Sequence, residues 1–222
     1  MVTSVDGKVT GKFLSSPLSE KAIEIYYDLN RSLKCDGFIC GRVTMETSFT
    51  GGFYPDLSDY EEEEISDFIP KDTSDFYAVA FDTNGRLGWK ESLISDPDGD
   101  PGYDKARIIE VLSENVERKY LGYLKDKNIP YIFAGKKKID VNLALTKLKE
   151  KFGINFLLLE GGSIINGAFQ KAQTVDEISL VIAPVVGDKE DKPLFFDSKA
   201  DGFELTESKA VDGVAILRYK HG

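Results

Sequence analysis

A chain of 222 residues with 41% hydrophobic and 11% aromatic content can bury a substantial core, which argues against an intrinsically disordered protein. Acidic residues number 38 against 28 basic ones, and the resulting net charge of -10 argues against general binding to nucleic acid or to anionic membranes. The one histidine, His221, argues against a Ser-His-Asp triad, a zinc deaminase motif and a multi-histidine metal site.

The chain opens on Val2-Thr3-Ser4-Val5, read as a short strand, and turns at Asp6-Gly7. Ser16-Pro17 has the form of a helix start, with Ser as N-cap and Pro at the first position. Ala22, Ile23, Tyr26, Tyr27, Asn30 and Leu33 then recur at helical spacing. Gly37 to Cys40 reads as a short buried strand that runs into Gly41-Arg42-Val43-Thr44 and a helix. The acidic run Glu61 to Glu64 is expected as a solvated helix face rather than a metal site. Phe76 to Phe81 is a strand, and Asp82-Thr83-Asn84-Gly85 turns the chain. Residues 95–104 are a loop by composition.

Strands at Arg107 to Leu112 and Tyr131 to Phe133 alternate with helices near Val116 to Asp126 and Val141 to Lys151. The apolar strand Phe156 to Leu159 ends in Glu160-Gly161-Gly162, and a helix near Ile164 to Lys171 follows. Glu177 to Val186 and a hairpin turning at Asp212-Gly213 complete the series. Strands alternating with helices predict an α/β fold with a mostly parallel sheet, helices on both faces and an antiparallel C-terminal hairpin. Residues 1–222 show neither linker nor repeat and are expected to form a single domain. No apolar run approaches the ~20 residues of a membrane span, no signal peptide is read, and two cysteines, Cys35 and Cys40, suit a reducing cytoplasm.

Ligands of open α/β sheets bind beyond the carboxyl ends of the strands, where helix N-termini present free amides. Two junctions have suitable composition. At the first, Gly41 lets backbone approach a ligand, Arg42 can pair with a phosphate, and Thr44 can donate a hydrogen bond. At the second, Gly161, Gly162, Ser163, Ile164, Asn166 and Gly167 open a helix directly after a buried strand. Tight turns with glycines for steric reasons alone are the plain alternative at both. Gly162 and Gly167 have P-loop spacing, but Ala168-Phe169 replaces the Lys-Ser/Thr that nucleotide hydrolysis needs, and no Rossmann glycine fingerprint is present. Glu160 either caps neighbouring amides or orients donors on a heterocyclic or polyol substrate.

Ser4-Val5-Asp6-Gly7-Lys8, Cys40-Gly41-Arg42-Val43-Thr44, Leu159-Glu160-Gly161-Gly162 with Asn166-Gly167-Ala168, Val175-Asp176-Glu177 and Ala183-Pro184-Val185 occur in that order. Together they resemble the C-terminal reductase domain of the bacterial bifunctional riboflavin-biosynthesis deaminase/reductase, with its three-layer dihydrofolate reductase-like fold. The resemblance implies an NADPH-dependent reductase of a small-molecule substrate, of the 5-amino-6-(5-phosphoribosylamino)uracil type, and a homodimer paired through C-terminal strands such as Phe203 to Tyr219. It implies cofactor contacts at Gly41, Arg42, Thr44 and Gly161 to Gly167. Val2 and Thr3 would line the nicotinamide end, and Asp82, Thr83 and Arg86 the adenosine end. Glu160 would orient substrate, with Ser4 and Arg31 beside it. Ser32 stands where the family has a substrate-binding arginine, and Thr47 to Pro55 replaces a second arginine segment. A non-catalytic nucleotide-binding protein and a dihydrofolate reductase proper are the alternatives.

Overall fold

The computed structural model describes residues 1–72, 74–95 and 99–222. Contacts divide the chain into two compact units, one formed by residues 1–34 with 161–222 and one by residues 35–160.

The unit of residues 35–160 is built on a parallel sheet. Its strands are β2 (Gly37–Gly41), β3 (Tyr77–Phe81), β4 (Arg107–Leu112), β5 (Tyr131–Phe133) and β6 (Leu157–Gly161), in the order β5-β4-β3-β2-β6. β3 and β4 are buried along their whole length, which explains the unbroken apolar run of β3 and the apolar residues that surround Arg107 and Glu110 in β4. Two helices cover opposite faces. Helix α3 (Arg118–Asp126) inserts Tyr120, Leu121, Tyr123 and Leu124 into the core on the side of Phe38, Ala78 and Ala80. Helix α4 (Val141–Phe152) buries Val141, Ala144 and Leu148, and its Phe152 ring meets Tyr77, which points the other way along β3. Asp140 caps α4 by accepting from Leu143 N, and Gly153 ends it in the left-handed region at φ 72°. At Gly37, a Cβ would lie 2.2 Å from the Tyr77 carbonyl oxygen, so only glycine allows β2 to pair with β3 there.

The unit of residues 1–34 with 161–222 carries a second sheet of order β1-β7-β9-β8. β1 (Val2–Thr3) runs parallel to β7 (Glu177–Ile182), and β9 (Val214–His221) is antiparallel to both β7 and β8 (Phe203–Val211). Asp212 and Gly213, at φ 48° and 81°, make the expected two-residue hairpin turn. Helix α1 (Glu20–Ser32) packs Ala22, Ile23, Tyr26 and Leu29 on Val2, Val181, Ala183 and Val214. The predicted mixed α/β fold therefore stands, with the C-terminal hairpin in a sheet separate from the five parallel strands.

Two local expectations are corrected. Ser16 does cap with its side chain, accepting from Leu18 N, but it opens a 3-10 turn at Pro17–Ser19, and α1 starts only at Glu20. Glu61 to Glu64 form no helix. The run lies along α3, where Arg118 Nε donates to the Glu63 carbonyl at 2.7 Å and Lys125 pairs with the Glu63 carboxylate. Four adjacent like charges disfavour a helical turn, and the basic residues of α3 hold the run in another conformation. Of the expected loop at 95–104, positions 96–98 lie outside the described residues. No helix among the described residues is long and apolar enough to cross a membrane.

Candidate active site

In a parallel sheet the carboxyl ends of the strands gather ligand-binding turns on one edge. Here that edge collects Gly41 to Thr44 after β2, Asp82 and Thr83 after β3, and Glu160 near the end of β6, the strand next to β2.

Gly41 is extended at ψ 161° and leads into helix α2 (Arg42–Met45). Arg42 pairs with Glu46 one turn on, and the Tyr54 hydroxyl donates to the same carboxylate. Tyr54 first, then Arg42 and more weakly Arg86, hold the Glu46 carboxyl below its ordinary range against the opposing effect of desolvation. Arg42 thus contacts Glu46 beside the turn, and the Arg86 charge acts on the same carboxyl from farther off. Thr44 is half-buried, and its carbonyl accepts from Thr47 Oγ1 at 3.2 Å.

Asp82 is buried and accepts from Arg86 N and from Leu87 N, the latter at 2.9 Å. Burial pushes its carboxyl up, while those amides pull it down. Its other oxygen, Oδ1, is buried without a hydrogen-bond partner. The Thr83 carbonyl accepts from Ser113 Oγ at 2.7 Å. Asp82 therefore shapes its own loop instead of presenting charge at the surface, which the Asp-Thr-Asn-Gly sequence alone did not reveal.

Glu160 is half-buried, and its Oε2 accepts from the Tyr103 hydroxyl. The Tyr103 ring stands edge-on to Phe38 at 4.8 Å and to Phe49 at 5.9 Å. Burial raises the Cys40 thiol well above its ordinary value, and the Glu160 charge adds to that rise. Tyr103 is the functional candidate that the sequence reading missed. Its one signal is an aromatic ring in a segment otherwise of loop composition.

In the other unit, Gly161 and Gly162 take φ 97° and 52° and open helix α5 (Ser163–Lys171). Such backbone is costly for any residue with a side chain. Ser163 Oγ donates to the Pro193 carbonyl at 2.5 Å, and Asn166 Nδ2 donates to the Leu194 carbonyl at 3.1 Å. Asn166 Oδ1 is buried with no hydrogen-bond partner, and Ile164 is exposed. Ser163 and Asn166 thus bind the 193–194 segment, and a Cβ at Gly167 would lie 1.7 Å from the Phe196 carbonyl oxygen. The backbone amides of the first turn remain as the part of α5 suited to an anion.

Val2 and Thr3 are buried, and the Thr3 carbonyl accepts from Ala183 N at 2.8 Å. Ser4 Oγ donates to Asp6 at 2.6 Å and accepts from Lys8 N at 2.9 Å, while Asp6 also accepts from Gly187 N at 2.8 Å. Ser4 and then Gly187 hold the Asp6 carboxyl below its usual range. Arg31 pairs with Asp28 on the exposed side of α1. A separate cavity of about 480 Å³ at the end of β5 is lined by Asp67, Phe133, Lys136 and Lys147 among others, and none of the expected site residues reaches it. No group of three or more metal-ligating side chains occurs among the described residues.

Residues 96–217 match the family model of the RibD C-terminal domain, more than half of the chain. The 2,5-diamino-6-ribosylamino-4(3H)-pyrimidinone 5′-phosphate reductase of Methanothermobacter thermautotrophicus is 32% identical over 123 residues, which is 52% of this chain and 56% of that protein. That match therefore spans little more than half the relative's length. The reductase of the same name from Aquifex aeolicus is 28% identical over 199 residues, 86% of this chain and 77% of that one. Among solved structures, a pyrimidine reductase-like protein from Corynebacterium diphtheriae superposes with a TM-score of 0.68 at 18% identity, over 99% of this chain and 89% of that one. The riboflavin biosynthesis reductase of Saccharomyces cerevisiae gives 0.60 at 15%, over 100% and 87%. At these identities the likeness is one of fold, and it agrees with the α/β fold expected from the sequence. By its match to the family model, this chain belongs to the RibD C-terminal domain family.

Proposed function

We propose that the chain is an NADPH-dependent reductase of a ribosylamino-pyrimidine 5′-phosphate, either the 2,5-diamino pyrimidinone named in its relatives or the corresponding 5-amino uracil. One observation carries the reading. Glu160 stands near the end of β6, beside the strand that delivers Gly41 to Thr44, and is followed at once by the left-handed glycines that open α5.

The residues present suit a dinucleotide. The first-turn amides of α5 have no acceptor within the helix, and Gly161 and Gly162 place no side chain in front of them. The buried, unpartnered Asn166 Oδ1 is an acceptor for a donor on such a ligand. When bound, a reduced nicotinamide supplies hydride to a carbon of the substrate. In this reading the chain's own residues bind and orient. Gly161 to Gly167 and Gly41 to Thr44 hold phosphates, Val2 and Thr3 offer backbone to the nicotinamide end, and Asp82 and Thr83 shape the adenosine end. Arg42, which pairs with Glu46, and Arg86, whose charge also lowers that carboxyl, are the groups suited to a ribose 2′-phosphate. Glu160 accepts from the N–H groups of the heterocycle. Ser4, beside the substrate in this reading, is a candidate to pass a proton to it. Arg31 is a substrate-phosphate candidate whose exposed pair with Asp28 is cheap to exchange. A cytoplasmic homodimer of single-domain subunits, paired along the exposed edge of β8, belongs to the same proposal.

Calorimetric titration with NADPH and with NADH, followed by nicotinamide absorbance with each pyrimidine, tests it. NADPH binding of about micromolar strength, with turnover of one pyrimidine, is the expected result. Absence of binding to either nucleotide removes the reductase reading. Binding without turnover of either pyrimidine favours the non-catalytic alternative.

A further inference from the structure

We infer that Tyr103 is a positioning residue for Glu160 and that its hydroxyl sets the affinity for the heterocyclic substrate. The inference deepens the proposed reductase reading and rests on it, because it takes Glu160 as the substrate's acceptor.

The Tyr103 hydroxyl reaches Glu160 Oε2 from 57 residues away in sequence. That reach is fixed at both ends. Tyr103 N donates to the Asp100 carbonyl at 3.1 Å, Gly102 N donates to Asp100 Oδ1 at 2.8 Å, and Lys105 N donates to the Ile94 carbonyl at 2.9 Å. The ring is seated edge-on against Phe38, which is fully buried, and against Phe49. The segment thus brings a rigid donor to a carboxylate whose own strand neighbours are Leu158 and, one strand over, Cys40 and Phe38.

A carboxylate among such apolar side chains needs a hydrogen-bond donor, and a long glutamate side chain needs something to hold one rotamer. A hydrogen bond to a charged group is stronger than a neutral one. A carboxylate also has about four lone-pair sites, so the phenol and the adjacent N–H groups of a planar heterocycle can be accepted together. Phenylalanine would serve the ring packing on Phe38 and Phe49 equally well. The hydroxyl is the part of Tyr103 that bonds Glu160, and this is why the residue acts on substrate binding rather than on the core.

Tyr103→Phe, Glu160→Gln and the double variant are compared for KM and kcat toward 2,5-diamino-6-ribosylamino-4(3H)-pyrimidinone 5′-phosphate, and for NADPH affinity and thermal midpoint. Tyr103→Phe is expected to raise KM about tenfold with a smaller change in kcat. It should leave NADPH affinity and the midpoint unchanged, and in the Glu160→Gln background it should add little. An unchanged KM in Tyr103→Phe, with Glu160→Gln impaired, overturns the inference and leaves Glu160 as a substrate residue. A parallel loss of KM, NADPH affinity and midpoint overturns it in favour of a structural role. If Glu160→Gln is also silent, the reading of Glu160 falls and the inference falls with it.

Discussion

The Trp89 indole donates its Nε1–H to Glu110 Oε1 in the buried interior of the parallel-sheet unit, while Glu110 Oε2 has no hydrogen-bond partner. Tyr120 adds a longer contact of 3.4 Å to Oε1. Glu110 is completely buried, and burial, helped by the nearby Asp82 charge, raises its carboxyl well above the ordinary range. The group is thereby kept neutral in the fold at a pH where the unfolded chain ionises it. A raised folded value contributes stability that is fully present below the unfolded value of about 4.3 and is lost as pH climbs toward the folded one.

Glu110→Gln removes that ionisation and keeps a polar side chain of the same size. The variant should equal or exceed the parent in thermal midpoint at neutral pH, and a gain of ~1 kcal/mol would appear as about 2–4 °C. Its advantage should shrink as pH falls toward 4. Midpoints measured across that interval decide the matter. A Glu110→Gln deficit of the same size at every pH would mean that the carboxyl matters for hydrogen bonding and not for its charge.

The first turn of α5 gives a cofactor test that leaves the core alone. Ile164 is 71% exposed, so an aspartate there meets no packing. A carboxylate in the first turn also favours the helix dipole by ~0.3–1 kcal/mol. The same charge repels a phosphate on those amides. Ile164→Asp should therefore bind NADPH and NADH each at least about tenfold more weakly, with an unchanged or higher midpoint. Unchanged calorimetric affinity for both nucleotides would remove α5 from the cofactor site.

Arg42 and Arg86 bear on the choice between the two nucleotides. Arg42 pairs with Glu46 and the Arg86 charge also lowers that carboxyl, which makes the two cations the candidates to act on an added phosphate. Arg86 is exposed, and its substitution disturbs only the surface. Arg86→Ala should weaken NADPH by about tenfold, since hydrogen bonds to charged groups contribute ~1.5–3 kcal/mol. NADH affinity should hardly move. Equal weakening of both would place Arg86 on a phosphate that the two cofactors share.

Which of these features the sequence could reveal depended on the range of the interaction that makes them. β3 was legible because a strand buried on both faces favours apolar residues throughout, and β4 because four of its six residues are apolar despite the buried Arg107 and Glu110. The glycine pair at 161 and 162 was legible because left-handed backbone all but requires that residue. Glu61 to Glu64 misled because their partners, Arg118 and Lys125, come from a helix more than fifty residues on. In the sequence Asp82 marks only a turn, which the resemblance puts at the adenosine end, whereas its loop folds back and buries it against the amides of Arg86 and Leu87. Tyr103 was invisible as a site residue for the same reason. Loop composition says where chain is irregular, not which distant carboxylate one of its side chains will meet.

Gly167 separates helix propensity from packing. Glycine inside a helix ordinarily costs about 1 kcal/mol relative to alanine, so Gly167→Ala should stabilise if propensity alone counted. A Cβ there would lie 1.7 Å from the Phe196 carbonyl oxygen and 2.7 Å from its carbon, and backbone cannot yield as the end of a side chain can. The 193–196 segment is also held by Ser163 and Asn166, through the Pro193 and Leu194 carbonyls, and by Phe196 N donating to the Ser163 carbonyl at 3.1 Å. Displacing Phe196 would strain those bonds together. Gly167→Ala is therefore expected to destabilise by about 2 kcal/mol or more, in the range of overpacked cores. It should also loosen the 193–196 segment, read as faster amide hydrogen exchange at Phe196. A raised midpoint would mean that the segment moves aside at little cost and that helix propensity decides the sign.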